Sequence, residues 1–72
     1  MIWCITATIE KKTKDGVQTS QVPTFFLDDR VQGIMGEGHA KFIGAEIINP
    51  MRLKNITLHV SAIAADREVW AK

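Results

Sequence analysis

Hydrophobic and polar positions alternate from the first residues of this chain. Trp3, Ile5, Ala7 and Ile9 fall on one side and Ile2, Cys4, Thr6 and Thr8 on the other. The β-branched content of this run predicts a strand over Ile2–Glu10. Lys14-Asp15-Gly16-Val17 follows, and Asp15-Gly16 predicts a two-residue hairpin loop. Counting back from that loop sets Ile9 opposite Val22, Ala7 opposite Thr24 and Ile5 opposite Phe26, so that apolar partners meet. On the reverse side the count sets Thr6 opposite Phe25 and Cys4 opposite Leu27. Pro23 has no amide donor, which assigns the second strand to a sheet edge.

Asp28-Asp29-Arg30 predicts a turn, and Val31–Met35 a short extended piece. His39–Ile48 then changes period. Ala40, Ile43, Gly44 and Ile47 recur at helical spacing, a stripe that covers one face of a sheet. Gly36 stands at the N-cap position, and Asn49-Pro50 ends the helix. Gly44 weakens a helix by roughly 1 kcal/mol relative to Ala, and its place on the stripe implies a close approach of helix to sheet. Asn55–Ile63 alternates again and gives a third strand. Residues 64–72 admit a single helical turn, a fourth strand or a loose tail carrying Trp70.

A right-handed crossover from the second strand to the third places the third on the far side of the first. The expected fold class is α+β: ββαβ, a three-stranded antiparallel sheet in the order 2-1-3 with one helix on one face. Residues 1–63 form the single domain and 64–72 its tail. One helix covers one face, so the other meets water, the tail or another molecule. The residues assigned to that uncovered face are Ile2, Cys4, Thr6, Phe25, Leu27, His59 and Ile63, with Trp70 able to fold onto it. They are the interface candidates.

Size sharpens this picture. Seventy-two residues make one domain, and a chain this short often gains stability by oligomerising. Hydrophobic content of 46% and charged content of 24% describe a globular chain, and a net charge of +1 disfavours duplex binding by bulk electrostatics. Cys4 is the only cysteine, which rules out an intramolecular disulfide and favours a reducing compartment, the cytoplasm. The run from Ile2 to Ile9 is too short for a membrane span and lacks a leading basic segment, so no membrane role is expected.

The topology nevertheless separates charge. Lys11, Lys12, Lys14, Arg52 and Lys54 gather at the hairpin end. Asp28, Asp29, Glu37, Asp66 and Glu68 gather at the other, with Arg30 and Arg67. Helix-dipole complementarity accounts for this arrangement. A basic end contacting nucleic acid is the alternative, and it predicts salt-dependent binding weakened by neutralising Lys11, Lys12 and Lys54.

Candidate chemistry is sparse. Cys4 and His59 share the uncovered face on neighbouring strands, the raw material of an activated thiol or half a zinc site, but no third ligand stands at motif spacing. His39 near Asp28, Asp29 and Glu37 offers acid–base groups, although an imidazolium there opposes the helix dipole. The glycines around Gln32-Gly33-Ile34, Gly36 and Gly38 match no nucleotide fingerprint. Neither a catalytic constellation nor a cofactor or metal motif follows. An uncharged, threonine-rich, partly apolar sheet face suits a protein contact, either a homodimer or a protein partner, better than it suits base stacking.

Pro23-Thr24-Phe25-Phe26-Leu27-Asp28, Val31-Gln32-Gly33-Ile34, His39-Ala40 and Ile47-Ile48-Asn49-Pro50 together resemble small uncharacterised proteins of phages and mobile elements. The resemblance spans residues 22–62. It implies a phage or mobile-element context and no activity. The Ser or Asp helix cap of that pattern is replaced here by Gly36-Glu37-Gly38.

Overall fold

The computed structural model describes residues 1–70. Strand β1 (Ile2–Thr13), strand β2 (Gly16–Asp28), a single turn α1 (Asp29–Gln32), helix α2 (Glu37–Ile48), strand β3 (Ile56–Ala65) and a second single turn α3 (Arg67–Trp70) follow in order. The sheet is antiparallel with order β2-β1-β3, so β1 is central and the α+β expectation holds.

The hairpin departs from the expected count in two steps, and the second decides which side chains meet water. Thr13 pairs with Gly16, so Lys14-Asp15 is the two-residue loop. Gly16 closes it at φ 131°, a conformation that side-chain-bearing residues rarely adopt, and the Thr13 hydroxyl donates to the Gly16 carbonyl at 2.9 Å. This first slip is two residues, an even number, and leaves the faces unchanged: Ala7 meets Val22 and Ile9 meets Ser20. The ladder then shifts between Ala7 and Ile5, where Pro23 and Thr24 together oppose Thr6. Proline cannot donate to a ladder, and the chain bulges at it.

One inserted residue turns every later side chain to the opposite face. Ile5 therefore meets Phe25, Trp3 meets Leu27 and Cys4 meets Phe26. Phe25 and Leu27, expected on the uncovered face, lie on the covered one: Leu27 is 3% exposed and Phe25 packs against the core. Phe26 takes the open face in their place.

Helix α2 begins two residues before the expected His39. Gly36 is its N-cap without a side-chain hydrogen bond, and Asn49 ends it with an N–H donated to the Ala45 carbonyl at 2.9 Å. A Cβ at Gly44 would stand 3.0 Å from Ile5 Cγ2, which is the close approach its stripe position implied. Ile5, Leu27, Ala40 and Ala62 form the buried cluster, ringed by Trp3, Phe25, Ile34, Ile43 and Val60. Ile47, assigned to the covered stripe, is 53% exposed because the last turn passes beyond this cluster.

Two further expectations change. Val31–Met35 is not extended: Asp28 caps α1, accepting the Arg30 N–H at 2.9 Å, and Gly33 at φ 65° terminates the turn. The third strand does not end at Ile63, and of the alternatives for the residues beyond it the single helical turn, α3, is the one formed. Strand β3 runs to Ala65, and the Trp70 indole N–H donates to the Ile2 carbonyl at 3.0 Å. Ala71 and Lys72 lie outside the described residues.

Helix and sheet do not match in length. Strand β1 and helix α2 each have 12 residues. Twelve residues extend about 40 Å as a strand but only about 18 Å as a helix. The molecule measures 45 × 23 × 15 Å, and its radius of gyration is 13.6 Å against about 11 Å for a compact chain of this length. Its surface of 5324 Å² exceeds the roughly 4,450 Å² of a typical monomer of this mass.

Candidate interaction face

The face opposite α2 is built from alternate residues of the three strands, and their chemistry divides it. Nearest the chain termini it is apolar. Ile2, Cys4, Phe26 and Ile63 share it by register, since Cys4 stands between Phe26 on β2 and Ile63 on β3. Phe26 is 52% and Ile63 59% exposed, which leaves this group only partly covered. The turn α3 brings Trp70 across it, and the Trp70 and Phe26 rings meet tilted at 52° with centroids 5.8 Å apart. Ile2, Phe26, Arg67 and Trp70 line a shallow groove of about 260 Å³.

A charged rim borders this groove. Asp28 Oδ2 lies 3.3 Å from Arg30 Nη2 and 3.7 Å from Arg67 Nη2. The Arg30 backbone N–H and then its guanidinium hold the Asp28 carboxyl below the usual carboxylate value of 3.8, and the same pairing raises the Arg30 guanidinium. The N-terminal amine contacts Asp29 Oδ1 at 3.1 Å. The acidic residues at this end are thus engaged with neighbouring cations in part, and Asp28 and Asp29 act as turn-forming groups as expected.

Towards the hairpin the same face turns polar. Thr6, Thr8, Gln21, Thr24, His59 and Ser61 border a depression of about 260 Å³. His59 Nε2 lies 3.0 Å from Glu10 Oε1.

The structure separates Cys4 and His59, which the sequence had placed within reach of each other. Cys4 stands opposite Ile63 and Thr8 opposite His59, an offset of four residues along β1, about 13 Å. Cys4 lies between Phe26 and Ile63, and His59 already faces a carboxylate. His39 is likewise occupied: its Nδ1 accepts the Met35 N–H at 3.1 Å, a bond that orders the approach to α2. Among the described residues no three His, Cys, Asp or Glu side chains are grouped to hold a metal ion.

At the hairpin end, Lys11 pairs with Ile56, and the Lys12 N–H reaches the Asn55 carbonyl at 3.4 Å. Lys11, Lys12 and Lys14 therefore share an end with Lys54. Arg52 is drawn off to Glu46 at 2.9 Å. No helix of the described residues is long and apolar enough to cross a membrane.

Of the interface candidates, Ile2, Cys4, Thr6, His59 and Ile63 occupy the open face, and Trp70 folds onto it. Two contributors were missed, Phe26 and Arg67. Pro23 was the signal for the first, because a proline within a strand warns of a bulge and hence of inverted faces beyond it. Asp66 ahead of Arg67-Glu68-Val69-Trp70 was the signal for the second: an Asp before a short run is a turn-opening pattern, and the Val69 N–H does bond the Asp66 carbonyl at 2.9 Å. No family model, curated protein or solved structure matches the chain.

Proposed function

We propose that this is a small non-enzymatic protein that holds a protein partner on the open face of its sheet, with the groove between Phe26 and Trp70 as anchor site. The observation that carries this is the groove itself: two aromatic rings and an arginine flank an apolar floor, beside an Ile63 that is 59% exposed. Aromatic and arginine side chains around a desolvatable pocket are the residues that dominate protein interfaces. At about 260 Å³ the groove falls below the roughly 300–1,000 Å³ of small-molecule sites. One bulky apolar side chain of a partner suits it better than a cofactor does. Trp70 already occupies part of the face, which leaves less of it for flat stacking of two identical sheets and favours a different protein as the occupant. The lone Cys4 accords with a reducing compartment such as the cytoplasm.

The test is retention of a partner from the native host after mild cross-linking, compared across three forms of the full chain. Wild type and Phe42→Lys, altered on the exposed side of α2, should hold the same stoichiometric protein, and Ile63→Lys should release it. Equal retention by Ile63→Lys, or loss only with Phe42→Lys, would move the working surface off the open face.

A further inference from the structure

Sheet edges are the places where a second strand can add, and proteins guard them with charges, prolines, bulges or covering elements. This sheet distributes those guards unevenly. From Gly16 to Leu27 the edge strand β2 carries no Asp, Glu, Lys or Arg. The charges within the sheet sit instead on central β1, as Glu10, Lys11 and Lys12, with Asp28 at the last position of β2. Strand β3 is also uncharged apart from His59, but α2 packs against its face, and Ile56, Leu58, Val60 and Ala62 are partly or fully buried. On β2 the proline and the bulge guard only the half next to the core. The hairpin half, Gly16–Gln21, is exposed at every residue, and Val17 is 59% exposed.

We infer that this hairpin half of β2 pairs antiparallel with the same segment of a second copy, joining two sheets into one of six strands. The geometry is self-consistent. A two-fold axis perpendicular to the sheet brings like edges together, runs the strands antiparallel and keeps both open faces on one side. Under that axis opposed residues must share a face, so the register centres on Thr19 or Ser20 and sets Gln, Thr, Ser and Val against one another with no charge to desolvate. The surface excess points to the same occupant. The chain exposes 5324 Å² against a typical value of roughly 4,450 Å², and the difference is close to the roughly 800 Å² that one partner contributes to a stable interface. The two anchor grooves then lie on the same side of the joined sheet, and the dimer does not depend on what fills them.

Sedimentation equilibrium of the full chain at micromolar to submillimolar concentration should give twice the 8.0 kDa chain mass. Thr19→Lys and Thr19→Glu each place like charges across the axis and should raise the dissociation constant roughly tenfold or more. Mixing the two variants should restore a dimer. Their circular dichroism should match wild type, because Thr19 is exposed in the monomer. Ile63→Lys should leave the dimer intact, which separates this contact from the open-face reading. A wild-type monomer throughout this range, a dimer that survives Thr19→Lys but not Ile63→Lys, an open-ended polymer, or failure of the mixed variants to reassociate would each overturn the inference.

Discussion

The two halves of β2 are one continuous strand, hydrogen-bonded to the same neighbour, yet they live in different surroundings. From Gly16 to Gln21 every residue is exposed. Beyond Pro23, Leu27 is 3% exposed, Phe25 packs on the core and Phe26 lies against Trp70. Hydrogen bonding alone therefore does not decide burial here. The bulge decides it, by turning two large apolar side chains towards α2 and one away. Changing the parity of the residue count at the bulge should break this difference most severely. Inserting one threonine after Thr24 should either force Phe25 and Leu27 to the open face or force the ladder to absorb a second extra residue, whereas deleting Thr24 leaves Phe25 opposite Ile5. With so small a core, loss of the cooperative urea transition is the expected outcome. A transition unchanged from wild type would mean that the bulge is not what sets the faces.

Point substitutions compare the halves more gently. Leu27→Ala should lower the unfolding free energy by about 2–5 kcal/mol, the cost of a cavity in a packed core. Val17→Ala, the same kind of truncation on the same strand, should stay within about 0.5 kcal/mol in the monomer because Val17 is 59% exposed. Urea denaturation of Thr19→Lys backgrounds, which removes dimer coupling, gives both values. Similar losses at the two positions would contradict the division of β2.

That division also marks how far the sequence could be read. Period, proline and turn residues were enough for the element order, the 2-1-3 sheet, the edge position of β2 and the approach of Gly44 to Ile5. These are local patterns combined with a chirality rule, and they survive small errors in counting. Facing is different, because it depends on the parity of a count. The two-residue error at the hairpin cost nothing, whereas the single residue gained at Pro23-Thr24 exchanged Phe25 and Leu27 for Phe26. Alternation cannot reveal this, since Phe25-Phe26-Leu27 is apolar in every phase. The anchor groove was hidden for a related reason: it needs both the inverted Phe26 and the return of Trp70 from the far end of the chain.

Trp70 tests the open side of the core half. Trp70→Ala removes the indole bond to the Ile2 carbonyl and the ring contact with Phe26, and should reduce stability by about 1–2 kcal/mol. A double-mutant cycle with Phe26→Ala should return a coupling of about 0.5–1.5 kcal/mol. Zero coupling would detach α3 from the face and dismantle the groove between them.

The smallest effect belongs to the last residue of β2. Asp28 ends the strand and caps α1, and its carboxylate accepts the Arg30 N–H and faces two guanidinium groups. These hold its pKa below the ordinary 3.8, with the Arg30 backbone bond the leading cause. A carboxyl whose folded pKa is depressed stabilises the fold above its unfolded value. That contribution is lost as pH falls through 3.8 towards the lower folded value. Solvent screens a site this close to the surface, so the change in urea midpoint should be small. Asp28→Asn keeps an N-capping oxygen but cannot ionise. The midpoints of wild type and Asp28→Asn should therefore converge as pH falls below 3.8 and separate above it. No titratable group is available on Gly16–Leu27 to imitate this, because that stretch carries no charged residue. Parallel pH curves for the two proteins would show that the Arg30 and Arg67 contacts do not stabilise the junction at which β2 gives way to the helical layer.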